Sequence, residues 1–586
     1  MGRPESILAS GVITRAPPSR RPEGAYVVSL RSPPSAGRWR LTPARWALVI
    51  VCVGLPILEV ATVFVFLPGS SPTLAPQASA VAPFGIFHDL RWLSVYASSW
   101  PTFAALAFGV LLARGLVTAV SVRLAWPASA PPPRMATLLV RGVGATVLAA
   151  LFLAPSVALL FALAVVPVSW LFLAAVPLAL GVALVVHPIA VTGGWWKHPI
   201  PLRALGWVAL SFATFTVAAA VIAVGPSWVV FVVAALSGTF NARAWVGMVG
   251  AVVEHRHSDR IVPAVPVALA VMAAVVAVGS VSGFTHVSTQ RANTGPTTYT
   301  APMRGAQAVL VISGYGSHWN GAPTHPIPGP FFEQRFSYRG LASSGRPLAY
   351  SSGDTVQTLH SLDVRLASQV ADLANATGRR IDIVAESEGA LVAKTYLVSH
   401  ADAPVGTVVL ASPLLAPGRV SYPAADTGAG SGLPSRGALD LLSRAYQSVA
   451  PIDLSPESGF LKSVDQLAPL LQGLLSCPTP GVRQLAVLPL ADATAAPVRS
   501  TLPFPSVVVP AFHGGLIGSR SPDRIIAAAL EGQVPVTSQG LRDLDRLIVL
   551  GSSAWQVPTL ALSDYPRQFP PEGAARCSAL AGALRR

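Results

Sequence analysis

Along the first 284 residues apolar positions run together instead of alternating with polar ones. Seven stretches approach the roughly 20 apolar residues that cross a bilayer core: Trp46 to Leu67, Trp100 to Leu124, Gly142 to Val166, Val168 to His187, Ala204 to Val224, Trp228 to Met248, and Ile261 to Phe284. The pattern predicts an all-α multi-pass membrane bundle of about seven helices over residues 46–284. Ahead of it, residues 1–45 are rich in Arg, Pro and Ser and read as a disordered tail. The sixth stretch follows Gly225-Pro226-Ser227 and holds Asn241 and Arg243, so it reads either as a span or as a shorter tilted or interfacial segment.

Beyond Phe284 the pattern changes. Residues 285–304 are Thr/Ser-rich without apolar period and read as a linker. In residues 305–586 short apolar runs alternate with amphipathic stretches. Strands are predicted at Ala308 to Ile312, Ile381 to Ala385, Val408 to Ala411, Leu485 to Leu488 and Ser506 to Pro510, and helices at Asp354 to Ala376 and Glu388 to His400. This alternation predicts an α/β domain with a mainly parallel sheet covered on both faces. About 70 residues separate the third of these strands from the fourth. They include helical runs at Ala438 to Val449 and Leu461 to Leu475, and residues 416–480 read as a cap whose Leu-rich faces either line an acyl or lipid site or pack on the body.

Composition sharpens the division. Of 586 residues 52% are hydrophobic and 11% charged, far below the quarter usual for soluble proteins, which excludes a purely soluble enzyme. Through Phe284 there are 18 Lys+Arg against 6 Asp+Glu, and from Thr285 onward 23 against 20. The net +15 therefore sits mostly in a tail and short loops, unlike the basic face of a nucleic-acid-binding domain; no nucleic-acid partner is expected. Eight arginines in the tail, with Arg123, Arg134, Arg141, Lys197, Arg203, Arg256 and Arg260 in alternate loops, predict a cytoplasmic N-terminus. An odd number of crossings then puts the α/β domain outside the plasma membrane. Glu59 and Arg114, inside the first two stretches and about 9 Å apart in depth by residue count, read as structural charges, with Arg114 snorkelling toward the cytoplasmic face.

The chemistry gathers at the end of the second predicted strand, in Ala385-Glu386-Ser387-Glu388-Gly389. A strand, a serine between small residues at two before and two after, and a helix form a nucleophile elbow, which lifts the hydroxyl above the sheet and aims the Glu388 amide at the reacting oxygen. A hydroxyl needs a base to remove its proton. His513 follows the last predicted strand and Asp492 the one before it, so all three residues lie beyond strand ends in the order Ser, Asp, His. Glu386 and Glu388 flank the nucleophile; they either disfavour anionic substrates beside it or point into the solvated rim.

Through Ser387, Asp492, His513 and the turn after Ile312, residues 305–560 resemble the α/β-hydrolase superfamily. The resemblance implies esterase- or lipase-like serine hydrolysis and a second oxyanion donor from that turn. In Ser313-Gly314-Tyr315-Gly316 the donor would be the Tyr315 amide, beside that of Glu388. A polytopic membrane domain ahead of such a fold is similar to membrane proteins of high-GC actinobacteria, with which 38 Arg against three Lys agrees. Cys477 and Cys577 are the only cysteines in the external half and read as a disulfide or as two unpaired thiols. No zinc spacing, P-loop or dinucleotide fingerprint occurs, so no metal or cofactor is expected. The functional expectation is a membrane-anchored extracytoplasmic serine hydrolase acting on a small-molecule or lipid ester or thioester. An acyltransferase with the same triad, or a non-catalytic sensor or assembly module, are the alternatives. Nothing in the pattern identifies a protein partner.

Overall fold

The computed structural model describes residues 42–66, 78–162, 200–254, 261–262 and 302–585, apart from internal stretches such as 82–83, 323–326, most of 416–431, 448–452, 493–501 and 556–572; between 163 and 199 it describes only a few short pieces. Residues 43–586 form one compact unit. Its first half is helical: α1 (Pro43–Phe66), α2 (Phe84–Tyr96), α3 (Trp100–Ala125), α4 (Met135–Ala162), α5 (Leu202–Val224) and α6 (Ser227–Val253). Among the described residues five of these, all but α2, are long and apolar enough to cross a membrane. Two predicted stretches, Val168 to His187 and Ile261 to Phe284, lie almost wholly outside the described residues. The sixth stretch is a continuous 27-residue helix, α6, and not a short segment. Asn241 is buried in the bundle and donates to Ser79 Oγ at 3.0 Å, and the half-buried Arg243 guanidinium lies 4.7 Å from the centre of the Trp207 ring.

Residues 78–81 enter the bundle and explain its charges. The Ala78 amide donates to Glu59 Oε2 at 2.9 Å, Arg114 Nη1 donates to the Ala78 carbonyl at 2.6 Å, and Trp245 Nε1 donates to the Ser79 carbonyl. Non-helical backbone at membrane depth needs such partners because lipid supplies none. Arg114 does not snorkel. Its Nε and Nη2 bind both oxygens of Asp89 at 2.6 and 2.8 Å, on α2, a helix absent from the sequence prediction. A planar fork meeting a carboxylate in two parallel bonds is the geometry that holds an arginine inside a fold.

The second half is built on six parallel strands: β1 (Ala308–Ile312), β2 (Phe332–Arg335), β3 (Ile381–Glu386), β4 (Val405–Ala411), β5 (Arg483–Pro489) and β6 (Ser506–Val509), ordered β2-β1-β3-β4-β5-β6. The chain leaves β1 toward β2 on one side and β3 toward β4 on the other. Strand order therefore reverses between β1 and β3, opening a crevice at their carboxyl ends. Side chains alternate across the sheet. Leu310, Ile312, Ile383 and Leu410 join a core shared with α7 (Leu359–Thr377) and α8 (Glu388–Ser399); Val309, Val311, Val384 and Val409 face Ile526 and Leu530 of α11 (Arg520–Leu530). Asp354, predicted as the helix cap, instead lies in a short 3-10 turn, and Thr358 caps α7 by accepting from the Ser361 amide.

The cap region divides between two neighbours. Its first helix, α9 (Leu433–Gln447), packs against α2, α3 and α4 of the bundle; Ser435 Oγ donates to the Ser94 carbonyl at 2.8 Å and the Gly430 amide to that of Ser98 at 2.7 Å. Its second helix, α10 (Gly459–Leu471), packs on α7 and on α13 (Ala574–Leu584), and its Leu461, Val464 and Leu471 are buried there. Cys477 and Cys577 are bonded, tying α13 back to the end of the cap. A further helix, α12 (Gln539–Ser552), runs between β6 and α5.

Candidate functional site

Ser387 sits where β3 gives way to α8, at the crevice created by the reversal of strand order. Its backbone is left-handed, φ 55° and ψ −115°; among the described residues only Ser412 shares a positive φ without being glycine. Such a conformation costs on the order of 1–3 kcal/mol and persists only where the surroundings fix it. Here the fixing is visible. A Cβ on Gly389 would lie 2.8 Å from the Ile312 carbonyl oxygen and 2.9 Å from that of Ser313, so α8 approaches β1 at a distance that only glycine permits. Ala385, two residues before the serine, is fully buried in the sheet.

Ser387 Oγ lies 2.8 Å from His513 Nε2, and His513 Nδ1 lies 3.0 and 2.9 Å from the two oxygens of Asp492. Asp492 follows β5 and His513 follows β6. The three side chains, 126 positions apart at the extremes, form one hydrogen-bonded series. The carboxylate assigns the proton to Nδ1, which leaves the Nε2 lone pair facing the serine hydroxyl. Burial pulls the imidazole pKa down, but the Asp492 charge, its hydrogen bond and the more distant Glu386 charge outweigh that and hold it above its ordinary 6.5.

The turn after β1 closes the other side. A Cβ on Gly314 would stand 3.0 Å from the Ser387 Cβ and 3.6 Å from its Oγ, so this turn lies directly against the nucleophile. The Gly316 amide is occupied, donating to Thr355 Oγ1 at 2.9 Å. The Tyr315 amide lies between these two glycines, while its side chain leads into the cap: the hydroxyl donates to the Asp453 carbonyl at 2.6 Å and the ring lies against Phe460. The Glu388 amide is at the first position of α8, where a helix offers no internal acceptor.

Both flanking glutamates are buried, in contrast to the solvated rim that the sequence allows. Glu386 Oε1 accepts from the Leu516 amide at 2.6 Å and so anchors the histidine loop. That loop is held twice more, through the Gly514 amide to Ser412 Oγ at 3.4 Å and the Gly518 amide to Asp523 Oδ1 at 2.9 Å. Its Gly514 and Gly515, at φ 79° and 70°, make the bend that turns the imidazole back toward Ser387. Asp523 is pushed up to about 7, first by burial and then by the Glu386 charge, against the pull of the Gly518 amide. Glu388 is fully buried under the elbow and its Oε2 lies 3.3 Å from the Tyr338 hydroxyl. Burial pushes its carboxyl pKa well above the usual range, against the pull of the Tyr338 hydrogen bond. The Tyr338 hydroxyl donates to the Ser313 carbonyl at 2.6 Å, and Arg335 donates to the Ser313 hydroxyl, which together fix the turn that carries Gly314. None of Tyr338, Arg335, Ser412 or Asp523 carries a sequence signal, because each acts through a contact distant in the chain.

The arrangement can remove a proton from a hydroxyl and keep that proton on a buried imidazole beside a carboxylate, with the Glu388 amide at the helix start beside it. Among the described residues no cluster of His, Cys, Asp and Glu is built to hold a metal ion. Comparison with protein-family models, with curated proteins and with solved structures gives no match.

Proposed function

We propose that the chain is a membrane-anchored serine hydrolase of the α/β-hydrolase type that cleaves ester or thioester bonds, lipid-like ones included, on the extracytoplasmic side. The observation that carries this reading is the series Ser387 Oγ, His513 imidazole, Asp492 carboxylate at 2.8 and 2.9 Å, set on a left-handed serine at the strand reversal. In the first step the Ser387 oxygen attacks the carbonyl carbon while its proton passes to His513 Nε2, and Asp492 stabilises the imidazolium that forms. The Glu388 and Tyr315 amides are the donors for the oxyanion; one such donor is worth about 100- to 1000-fold in rate. The carbonyl–oxygen or carbonyl–sulfur bond then breaks, and the leaving group takes the proton from His513. Water, deprotonated by the same imidazole, releases the acyl group and restores the hydroxyl.

Three features support the outside location. The arginine-rich tail and loops alternate with arginine-poor ones and so fall together on one side of the spans, the bonded cysteines suit an oxidising compartment, and the α/β half touches the bundle at Ser94, Ser98, Trp100 and Thr216. Those contacts lie at or toward the span ends opposite the arginine-rich loops. The test is labelling of the full chain with a fluorophosphonate. The reading predicts stoichiometric labelling lost in Ser387→Ala; label that persists in the variant refutes it. Product analysis with a competing alcohol then reads whether water or an alcohol receives the acyl group.

A further inference from the structure

One residue of the α/β half, Trp555, makes a contact inside the bundle. Trp555 is buried, stacks on Phe212 of α5 with ring centres 4.7 Å apart, packs against Phe84 and Phe87 of α2, and donates from Nε1 to Thr216 Oγ1 at 3.1 Å. Thr216 lies within the apolar span Leu202–Ile222, six residues or about 9 Å from its end. The helix leading to Trp555, α12, packs on α5, and a Cβ on its Gly551 would stand 3.4 Å from the Thr216 methyl. The C-terminal end of α12 therefore lies beside a stretch of α5 whose Val217 and Val221 are exposed to whatever surrounds the span.

α12 is amphipathic in an unusual way, because its exposed side is itself divided. Leu544 and Leu547, 45% and 66% exposed, lie about 60° apart around the helix axis. Arg542 and Arg546 are exposed on an arc roughly 150° away, with Asp543 exposed between that arc and Leu547, while Leu541 and Ile548 are half-buried. One edge is thus apolar and the next is charged, on a helix that packs against α5. A helix lying in the plane of a bilayer interface has this pattern, with leucines in the acyl region and arginines at the headgroups.

We propose that the Leu544–Leu547 edge of α12 is seated in the hydrocarbon of the leaflet surrounding the C-terminal half of α5, with Arg542 and Arg546 at its phosphates. The occupant is lipid because the patch lies on a helix packed against an apolar span, whichever way that span is oriented. Neither this argument nor its test depends on the chemistry of Ser387.

The test places single cysteines in the full chain, in a Cys52→Ala background with the Cys477–Cys577 bond intact, and reconstitutes it in phosphatidylcholine vesicles. Leu547→Cys and Leu544→Cys are labelled with a bimane, beside Val217→Cys on α5 as lipid reference and Val364→Cys on α7 as aqueous reference. The expected result is that both α12 probes lose fluorescence to nitroxide-bearing lipid and keep it in iodide, as at position 217. Quenching by iodide alone, as at position 364, overturns the proposal. Protection from both quenchers also overturns it, since a second copy or another protein then covers the edge.

Discussion

Glu386 offers the sharpest test of how the site is held. It belongs to the elbow, yet its Oε1 accepts from the amide of Leu516, three residues past His513, at 2.6 Å. Its charge is also one of the influences that raise the His513 pKa. These two effects separate in two variants. Glu386→Ala removes the acceptor and the charge; a hydrogen bond to a charged group contributes about 1.5–3 kcal/mol, which corresponds to roughly 10- to 150-fold in kcat/KM if the loss appears in the placement of His513. Glu386→Gln keeps an acceptor oxygen and removes only the charge. With the neutral imidazole as the proposed base, kcat/KM is expected to rise with pH through the His513 pKa, which lies above 6.5. Losing the Glu386 charge lowers that pKa, and the rising limb moves to lower pH while the plateau stays near wild type. The assay is kcat/KM for a chromogenic thioester across pH, with the rate of fluorophosphonate labelling as a second readout. An alanine variant indistinguishable from wild type at every pH refutes the anchoring role, and a glutamine variant with an unmoved limb refutes the charge effect.

Other outcomes follow from the same geometry. Asp492→Asn removes the charge that fixes the Nδ1 proton and should lower kcat by about 10⁴-fold, with labelling of Ser387 slowed in parallel; a small effect would mean the carboxylate does not orient His513. Reducing the Cys477–Cys577 bond, which spans 100 residues, should cost up to about 4.7 kcal/mol in the chain-entropy model, read as a lower unfolding midpoint with reductant in wild type and no change in a Cys477→Ser/Cys577→Ser variant. Arg114→Met removes three hydrogen bonds to Asp89 and Ala78 and should destabilise the bundle by about 3–5 kcal/mol, measured as thermal unfolding in detergent. Adding Asp89→Asn should recover part of that loss.

The sheet was legible where burial is two-sided. AVLVI at Ala308–Ile312 and the runs ending at Ala385, Ala411, Leu488 and Val509 are continuous apolar segments, as strands covered on both faces must be. Phe332–Arg335 is an edge strand of sequence FEQR, with neither alternation nor an apolar run, and no local pattern marks it. The order Ser387, Asp492, His513 was readable because each residue follows a legible strand. Glu386 and Glu388 were legible only as charges next to the nucleophile, since their partners Leu516 and Tyr338 are 130 and 50 residues away. For the same reason α2 and the contacts of Ala78 gave no signal. A 13-residue helix with Asp89 and Arg91 resembles an external loop until Arg114 is seen to reach it.

The central claim is that Ser387 forms an acyl-enzyme with His513 as its base. Acid-quenched turnover of a thioester, followed by peptide mass mapping, reads it directly. The account predicts a mass increase equal to the acyl group on the peptide holding Ser387, absent in Ser387→Ala and strongly reduced in His513→Ala. An adduct on another residue, or one that forms as fast without the imidazole, would contradict it.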